Sequence, residues 1–159
     1  MTGHFNLSSI SIRLSAADDP LPMDLLLSAD PYEDAIAKYI GNSEILLAEM
    51  DGAIVGVCAL MAIADGTAEI KNVAVREDMQ GNGIGKRLLL HAIDHARQRG
   101  FRTLEIGTGN AGLMQLGLYQ RLGFEMVSID RDFFARNYPG PIFEDGIACK
   151  HMVRLSMPL

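Results

Sequence analysis

The sequence predicts a mixed α/β (α+β) fold, with about seven strands and about four helices in a single domain over residues 1–159. A length of 159 residues suits one compact domain with one hydrophobic core. Two Asp-Gly pairs, Asp51-Gly52 and Asp65-Gly66, separate apolar runs, and this dipeptide is typical of a tight β-hairpin. Farther along, predicted strands alternate with helices that end at Gly100 and Gly123, since glycine readily closes a helix.

The first part of the chain predicts one strand, two short helices and a three-stranded antiparallel region. Residues 9–14 alternate as a strand does. Asp18-Asp19-Pro20 and Asp30-Pro31 each offer capping oxygens and a proline suited to a helix start. We expect the second helix to end at Gly41-Asn42. The three antiparallel strands are predicted at 45–50, 54–63 and 67–76.

The second part alternates helices and strands. A helix from residue 84 is expected to bury one apolar face, formed by Ile84, Leu88, Leu89, Ala92, Ile93 and Ala96. The remaining predicted elements are a strand at 103–106, a turn at 107–110, a helix at 113–122 and strands at 125–129 and 147–155. The connection from Asp130 to Gly146 is long for a compact domain, and such connections are usually functional or ordered by packing.

Charge and composition exclude several classes of protein. Lys and Arg number 14 against 20 Asp and Glu, for a net charge of −6. The chain therefore lacks the concentrated basic face that nucleic-acid binding requires. The acidic balance either attracts cationic substrates or simply keeps the protein soluble.

The positions of the two cysteines and the short length of the apolar runs indicate the cellular compartment of the protein. Cys58 and Cys149 both lie in apolar, strand-like runs, which does not fit a disulfide framework. The opening residues lack the segments of a secretory signal, and no run approaches the ~20 apolar residues of a membrane span. We therefore expect a cytoplasmic protein that binds neither membranes nor nucleic acid.

The most informative stretch is Gln80-Gly81-Asn82-Gly83-Ile84-Gly85-Lys86, between a predicted strand and an amphipathic helix. Successive backbone N–H groups in such a turn point into one concavity, and the helix N-terminus adds about half a positive charge. Glycines keep Cβ atoms out of the way, so a pyrophosphate can approach the backbone. Lys86 and Arg87 can add side-chain charge. Taken alone, the pattern also fits a plain tight turn.

Two better-known phosphate loops do not fit this stretch. A P-loop places Ser or Thr after its lysine, whereas Lys86 is followed by Arg87. A dinucleotide-binding fold places its glycines in the first strand-to-helix unit, whereas three antiparallel strands are predicted before these. A different phosphate ligand is therefore expected.

Two separated motifs resemble those of the GNAT acetyltransferases. Gln80-x-x-Gly83-x-Gly85 is similar to the Gln/Arg-x-x-Gly-x-Gly/Ala signature of that family, and residues 72–75 look like its fourth strand. Downstream, Leu118-Tyr119-x-x-x-Gly123-Phe124 resembles the recurring Leu-Tyr-x-x-x-Gly-Phe. The predicted order of elements is also similar, over residues 9–156. The resemblance implies a GNAT-like fold, with a central, mixed, mostly antiparallel sheet.

The resemblance further implies acetyl-CoA as cosubstrate, with no metal, and transfer of its acetyl group to a primary amine of a small molecule or a protein by direct attack in a ternary complex. The fourth strand would pair through its backbone with the pantetheine arm, and the glycine loop would hold the diphosphate. The implied coenzyme-binding residues are Val73, Ala74, Val75, Gln80, Gly81, Asn82, Gly83, Ile84, Gly85 and Lys86. Many members carry an asparagine seven positions before the tyrosine; this chain has Gly112 there, so Asn110 is the candidate for that contact.

Glu69 and Tyr119 are the catalytic candidates, because acetyl transfer needs a deprotonated amine and a proton for the departing thiolate. Strand alternation places Glu69 on one face with Lys71, and eleven positions before Gln80, the spacing at which several family members carry their general base. Alternatively, Glu69 pairs with Lys71 or an arginine. Tyr119 occupies the position where the family often places a tyrosine near the sulfur; alternatively, its hydroxyl only satisfies core packing.

In the family, the connection between the last two strands and the first two helices usually shape the acceptor site. Here Tyr32, Phe133, Tyr138 and Glu144 can form an aromatic and acidic lining for an amine. Alternatively, the same segment is a loop that caps the core or contacts a second subunit in a homodimer. His91 and His95, at i and i+4, are expected to face solvent rather than to hold a metal.

Two other functions compete with acetyl transfer. Residues 104–110 look like the glycine motif that binds S-adenosylmethionine in methyltransferases, but that motif normally opens a fold, and only 49 residues follow Asn110. A member of the family that binds acyl-CoA without turnover, as a sensor, is the second alternative.

Overall fold

The computed structural model describes residues 6–159. The five α-helices are α1 (Met23–Ala29), α2 (Glu33–Ala37), α3 (Ile84–Gln98), α4 (Leu113–Leu122) and α5 (Phe133–Asn137). The nine strands are β1 (Ser11–Leu14), β2 (Ser43–Met50), β3 (Ala53–Ala64), β4 (Thr67–Val75), β5 (Thr103–Gly109), β6 (Glu125–Asp130), β7 (Phe143–Glu144), β8 (Ile147–Ala148) and β9 (Met152–Pro158). Residues 6–159 thus contain five α-helices rather than about four, because α5 forms inside the connection that follows β6.

Seven strands form one sheet, in the order β1-β2-β3-β4-β5-β9-β6, and β7 pairs with β8 in a separate hairpin. β4 and β5 are parallel. The pairs β1 with β2, β2 with β3, β5 with β9 and β6 with β9 are antiparallel. The predicted mixed, mostly antiparallel sheet of seven strands is therefore confirmed.

The chain divides into two compact units. The first comprises the described residues up to 61 together with Lys71–His95, and the second comprises Ala62–Ile70 with Ala96–Leu159. In the first unit, α1 and α2 pack on β2, β3 and β4 around a buried cluster, and burying each large aliphatic side chain stabilises the fold by about 1.5–3 kcal/mol. Its members include Leu25, Leu26, Ile36, Tyr39, Leu47, Val57 and Ala74. In the second unit, the buried residues include Leu104, Ile106, Tyr119, Phe124 and Leu155.

Local signals predicted several elements correctly. All six residues of the predicted apolar face of α3 are at most 3% exposed, which confirms that face. Asp51 and Gly52 both have positive φ, 51° and 79°, as the hairpin between β2 and β3 requires. Gly123 ends α4 in the left-handed conformation, at φ 109°.

The helix starts in the first unit differ from the prediction. Asp19 does not cap α1, because its carboxylate binds the Arg13 guanidinium at 2.7 Å and accepts from the backbone N–H of Ala16 at 2.6 Å. α1 begins only at Met23, after Pro22. The second predicted helix is five residues long and is followed by a separate 3-10 turn at Ile40–Asn42.

Two predictions in the second unit are wrong. The turn expected at 107–110 is mostly strand, since β5 continues to Gly109 and pairs there with Met152. The strand expected at 147–155 is interrupted, because Asp145 and Gly146, with φ of 50° and 75°, form a turn that pairs β8 with β7. The last strand of the sheet begins at Met152.

Candidate active site

The glycine loop lies in the first unit, between β4 and α3. Gly81 and Gly83 have φ of 77° and 84°, a region that side-chain-bearing residues rarely adopt. A Cβ added at Gly81 would meet no atom within 4 Å, and one added at Gly83 would meet only Leu7 Cδ2, at 3.8 Å. The loop therefore presents uncovered backbone at the N-terminus of a 15-residue helix, which begins at Ile84. These features fit a bound diphosphate.

Side chains of the loop hold its own backbone. The Asn82 amide donates to the carbonyls of Met79 at 3.0 Å and Gln80 at 3.3 Å. The Gln80 amide donates to the carbonyl of Val75, at 3.0 Å, and so ties the loop to the end of β4. These two side chains hold the loop through carbonyl oxygens rather than through its N–H groups.

The two basic residues after the loop differ in role. Arg87 donates to the carbonyl of Leu7 at 2.6 Å, so its charge holds the N-terminal turn. Lys86 is exposed. Both residues were predicted to add positive charge for a bound anion, and Lys86 is the one at the solvent-facing surface.

β4 alternates between a buried and a partly exposed face. Ala68, Ile70, Asn72 and Ala74 are buried, whereas Glu69, Lys71, Val73 and Val75 are half-buried. The predicted shared face of Glu69 and Lys71 is therefore confirmed. The pairing of β4 with β5 runs from Thr67 to Ile70, and β4 continues past it to Val75.

Asn72 is a polar residue of the buried face that the sequence analysis gave no role of its own. Its amide donates to the carbonyl of Leu26 at 3.0 Å and to the hydroxyl of Tyr39 at 2.9 Å. Tyr39 in turn donates to the Asp30 carboxylate at 3.3 Å, and burial raises the pKa of Tyr39 to about 12. This chain of hydrogen bonds ties α1 and the turn after α2 to β4. The sequence signal for this role of Asn72 was an asparagine at an inward-facing position of an apolar strand.

Glu69 lies in the second unit with an arginine as ion-pair partner. Its side chain is 12% exposed, and its Oε1 lies 3.6 Å from Nη1 of Arg154 on β9. Nη2 of Arg154 lies 3.6 Å from Oδ2 of Asp130, and its guanidinium faces the ring of Phe133 at 5.8 Å. An arginine partner was the open alternative for Glu69. Arg154 itself was missed, and a single arginine inside the apolar run 152–157 was the available signal.

Tyr119 and Asn110 have different surroundings. Tyr119 is 4% exposed, and its ring packs edge-on against Phe124, with 6.2 Å between centroids. The Asn110 amide donates to the carbonyl of Ala148 at 3.1 Å, and its oxygen accepts from the backbone N–H groups of Lys150 at 2.7 Å and His151 at 3.0 Å. Asn110 thus holds the chain just before β9. Its predicted contact with the coenzyme stays a prediction.

The predicted acceptor residues are divided between the units. Phe133, Phe134 and Tyr138 form one aromatic cluster in the second unit, with centroids 5.3–6.3 Å apart. Glu144 is exposed on β7 and, after burial, is the second cause that raises the pKa of the Cys149 thiol. Tyr32 lies in the first unit, where it precedes α2 and is half-buried.

The two helix histidines differ from each other. His91 is exposed as expected, but His95 is only 15% exposed and its Nε2 pairs with the Glu44 carboxylate, so the expectation that it faces solvent is wrong. Within residues 6–159, there is no group of three or more His, Cys, Asp or Glu side chains that could hold a metal ion. In the same range, no helix has the length and apolar character needed to cross a membrane.

Comparisons with known proteins identify the family. The sequence model of the acetyltransferase (GNAT) family matches residues 15–124. An uncharacterised N-acetyltransferase of Bacillus subtilis (strain 168), YvbK, is 43% identical over 154 residues, which is 97% of this chain and 99% of that protein.

Two solved structures with bound coenzyme are similar over almost the whole chain. A GNAT family acetyltransferase from Elizabethkingia anophelis with acetyl-CoA bound has a TM-score of 0.92 and 43% identity, over 95% of this chain and 99% of that one. A Bacillus subtilis acetyltransferase in complex with CoA has a TM-score of 0.88 and 43% identity, over 94% and 99%. The chain therefore belongs to the GNAT family of acetyltransferases, which use acetyl-CoA as their cosubstrate.

Proposed function

We propose that this protein acetylates a primary amine by direct attack of the amine within a ternary complex. The observation that carries the proposal is the open glycine loop at the start of α3, where Gly81 and Gly83 have positive φ and an added Cβ would meet no atom closer than 3.8 Å. Acetyl-CoA, when bound, supplies an activated acyl thioester.

The loop and the end of β4 hold the coenzyme in this proposal. The backbone N–H groups of Gly81, Asn82, Gly83, Ile84 and Gly85 bind the diphosphate, favoured by the dipole of α3. Gln80 and Asn82 keep the loop in place through the hydrogen bonds that they make to its backbone. Lys86 adds a charge at the surface. The backbone of 73–75 pairs with the pantetheine arm, since β4 continues beyond its last pair with β5.

Glu69 and Tyr119 move the protons. Glu69 accepts a proton from the amine, directly or through water, and its ion pair with Arg154 fixes the position of the carboxylate. The Tyr119 hydroxyl supplies a proton to the departing thiolate, and the packing of its ring on Phe124 fixes the side chain. Each residue thus has a held position, which catalysis by proton transfer requires.

The acceptor in this proposal is an amine of a small molecule or of a protein. Phe133, Tyr138 and Glu144 of the second unit line the acceptor site, and Asn110 contacts the coenzyme. The chain acts as a homodimer in the cytoplasm, and both Cys58 and Cys149 are free thiols, as a reducing compartment favours. The exposed edge strand β6, where Met126, Val127 and Ile129 are 56–62% exposed, supports a subunit contact.

Thiol release from acetyl-CoA, measured with a panel of amines, tests the proposal. We expect acetyl-CoA to raise the thermal stability of the protein and at least one amine to increase the rate of CoA release. Binding of acetyl-CoA without turnover on any amine would favour the sensor instead. Stabilisation by S-adenosylmethionine and not by acetyl-CoA would overturn the choice of cosubstrate.

A further inference from the structure

The short turn that precedes β1 packs against the glycine loop. It is a single 3-10 turn, Leu7–Ser9, and we call it the N-terminal turn. The Leu7 side chain lies beside Gly83, because its Cδ2 atom is 3.8 Å from the position that a Cβ would take there. The N-terminal turn and the loop both belong to the first unit. A segment that is distant in the sequence therefore borders the loop.

Arg87 connects the N-terminal turn to α3. Its Nη1 donates to the carbonyl oxygen of Leu7 at 2.6 Å, across 80 positions of the sequence. Arg87 also lies one helical turn after Gly83, since its backbone N–H donates to the Gly83 carbonyl at 3.1 Å. Leu7 thus contacts the loop through its side chain and the first turn of α3 through its carbonyl. Loss of either contact should loosen the other, because both act on one residue.

The N-terminal turn is itself held by hydrogen bonds and by a buried residue. The Asn6 side-chain oxygen accepts from the backbone N–H of Ser8 at 3.0 Å and from its hydroxyl at 2.6 Å. The Leu7 carbonyl also accepts from the backbone N–H of Ile10 at 3.2 Å, and Ile10 is only 3% exposed immediately before β1. The turn therefore offers the loop a fixed support.

The composition of the glycine loop makes such a support effective. Three of the five residues 81–85 are glycine, and glycine loses more conformational freedom than any other residue when it is fixed. Gln80 and Asn82 hold the part of the loop next to β4. Leu7 is the neighbour at Gly83, next to α3. A loop that is fixed before its ligand arrives binds more tightly, because less entropy is lost on binding.

We propose that Arg87 is a positioning residue for the coenzyme, which holds the N-terminal turn against the glycine loop and so keeps Gly83 in the conformation that receives the diphosphate. This inference rests on the proposed function, in which the loop binds acetyl-CoA. Arg87 then acts through Leu7 rather than by direct contact with a phosphate, which its charge alone had suggested. Lys86, which is exposed, keeps the electrostatic role proposed for it.

Two variants and their combination test the inference. Arg87→Gln removes the guanidinium, and Leu7→Ala removes the contact with Gly83 without a change of charge. We expect Arg87→Gln to weaken acetyl-CoA binding about tenfold in isothermal titration calorimetry, and Leu7→Ala about threefold. The double variant should bind no more weakly than Arg87→Gln alone, because both changes break the same support. Losses that add in the double variant would show that Arg87 acts on the phosphate directly, and would overturn the inference.

Turnover separates positioning of the coenzyme from a general loss of structure. For both single variants the KM for acetyl-CoA should rise, whereas kcat at saturating acetyl-CoA should stay within about twofold of the wild-type value. Arg87→Lys keeps the charge and a donor, so its affinity should lie between those of the wild type and Arg87→Gln. Lys38→Gln, which removes an exposed cation of the same unit, is the control and should bind acetyl-CoA as the wild type does. A fall in kcat as large as the rise in KM would overturn the positioning role.

Amide hydrogen exchange in the absence of coenzyme reports on the loop itself. The amides of residues 81–86 should exchange faster in Arg87→Gln and in Leu7→Ala than in the wild type, since the support is lost. Unchanged exchange in both variants would overturn the inference. Failure of the proposed function gives a different result, because Gly83→Glu would then bind acetyl-CoA as tightly as the wild type.

Discussion

The glycine loop of the first unit and the segment around Arg154 in the second present chemical groups in different ways. In the loop, the groups offered to a ligand belong to the main chain, and the side chains of Gln80 and Asn82 turn back to hold that main chain. Around Arg154, the groups belong to side chains, namely two carboxylates, a guanidinium and an aromatic ring. The loop is therefore sensitive to an added Cβ, whereas the second region is sensitive to a change of charge.

Gly83→Glu should have the largest effect, because it changes the main-chain region. A side chain at φ 84° is strained by about 1–2 kcal/mol, and the carboxylate repels the diphosphate. We expect acetyl-CoA to bind about 100-fold or more weakly by isothermal titration calorimetry. The matched control is Gly41→Glu in the same unit, since a Cβ at Gly41 would meet no atom within 4 Å. Unchanged affinity in the Gly83 variant would contradict the role of the loop.

Glu69→Gln tests the region around Arg154, where the chemical groups belong to side chains, and should affect turnover rather than coenzyme binding. The variant keeps the shape of the residue and removes the base, so kcat should fall about 100-fold while acetyl-CoA affinity stays the same. Glu125→Gln, at an exposed position of β6, is the control and should retain full activity. Full activity of the Glu69 variant would exclude Glu69 as the general base. A loss of acetyl-CoA affinity as large as the loss of activity would show instead that Glu69 contributes to coenzyme binding.

Asn110→Ala separates a structural role from a coenzyme contact. The change removes three hydrogen bonds to residues 148–151, so the free energy of unfolding should fall by about 2–3 kcal/mol in urea denaturation. Asn137→Ala loses a single exposed bond to the Phe133 carbonyl and should cost less. A large loss of acetyl-CoA affinity at unchanged stability would assign Asn110 to the coenzyme instead.

Tyr119→Phe should have the smallest effect. The ring and its edge-on contact with Phe124 remain, so the affinity for acetyl-CoA should change little. Loss of the proton donor should slow turnover about tenfold, measured by thiol release at saturating substrates. A variant as active as the wild type would limit Tyr119 to core packing.

Features set by neighbouring residues could be predicted from the sequence. The loop at 80–86, the hairpin at Asp51-Gly52 and the buried face of α3 all depend on local backbone preference or helical period. Each is present in the structure. The two sequence motifs indicated the family for the same reason, because each is a short, contiguous stretch of residues.

Features that depend on distant pairing could not be predicted. Arg154 meets Glu69, 85 positions earlier, only because β5 lies between β4 and β9. Gly107 and Gly109 resembled a turn, since glycine is unfavourable in strands, but pairing with β9 overrides that preference. The glycine-rich stretch that suggested a methyltransferase therefore lies within a strand. The turn at Asp145-Gly146, in contrast, had a local signal in its Asp-Gly pair that went unused.

A crystal structure of the protein with acetyl-CoA tests the central claim most directly. We expect diphosphate oxygens within hydrogen-bond distance of the backbone N–H groups between Gly81 and Lys86, with Gly81 and Gly83 keeping their positive φ. A coenzyme bound elsewhere at full occupancy, with that loop empty or covered by other residues, would contradict it.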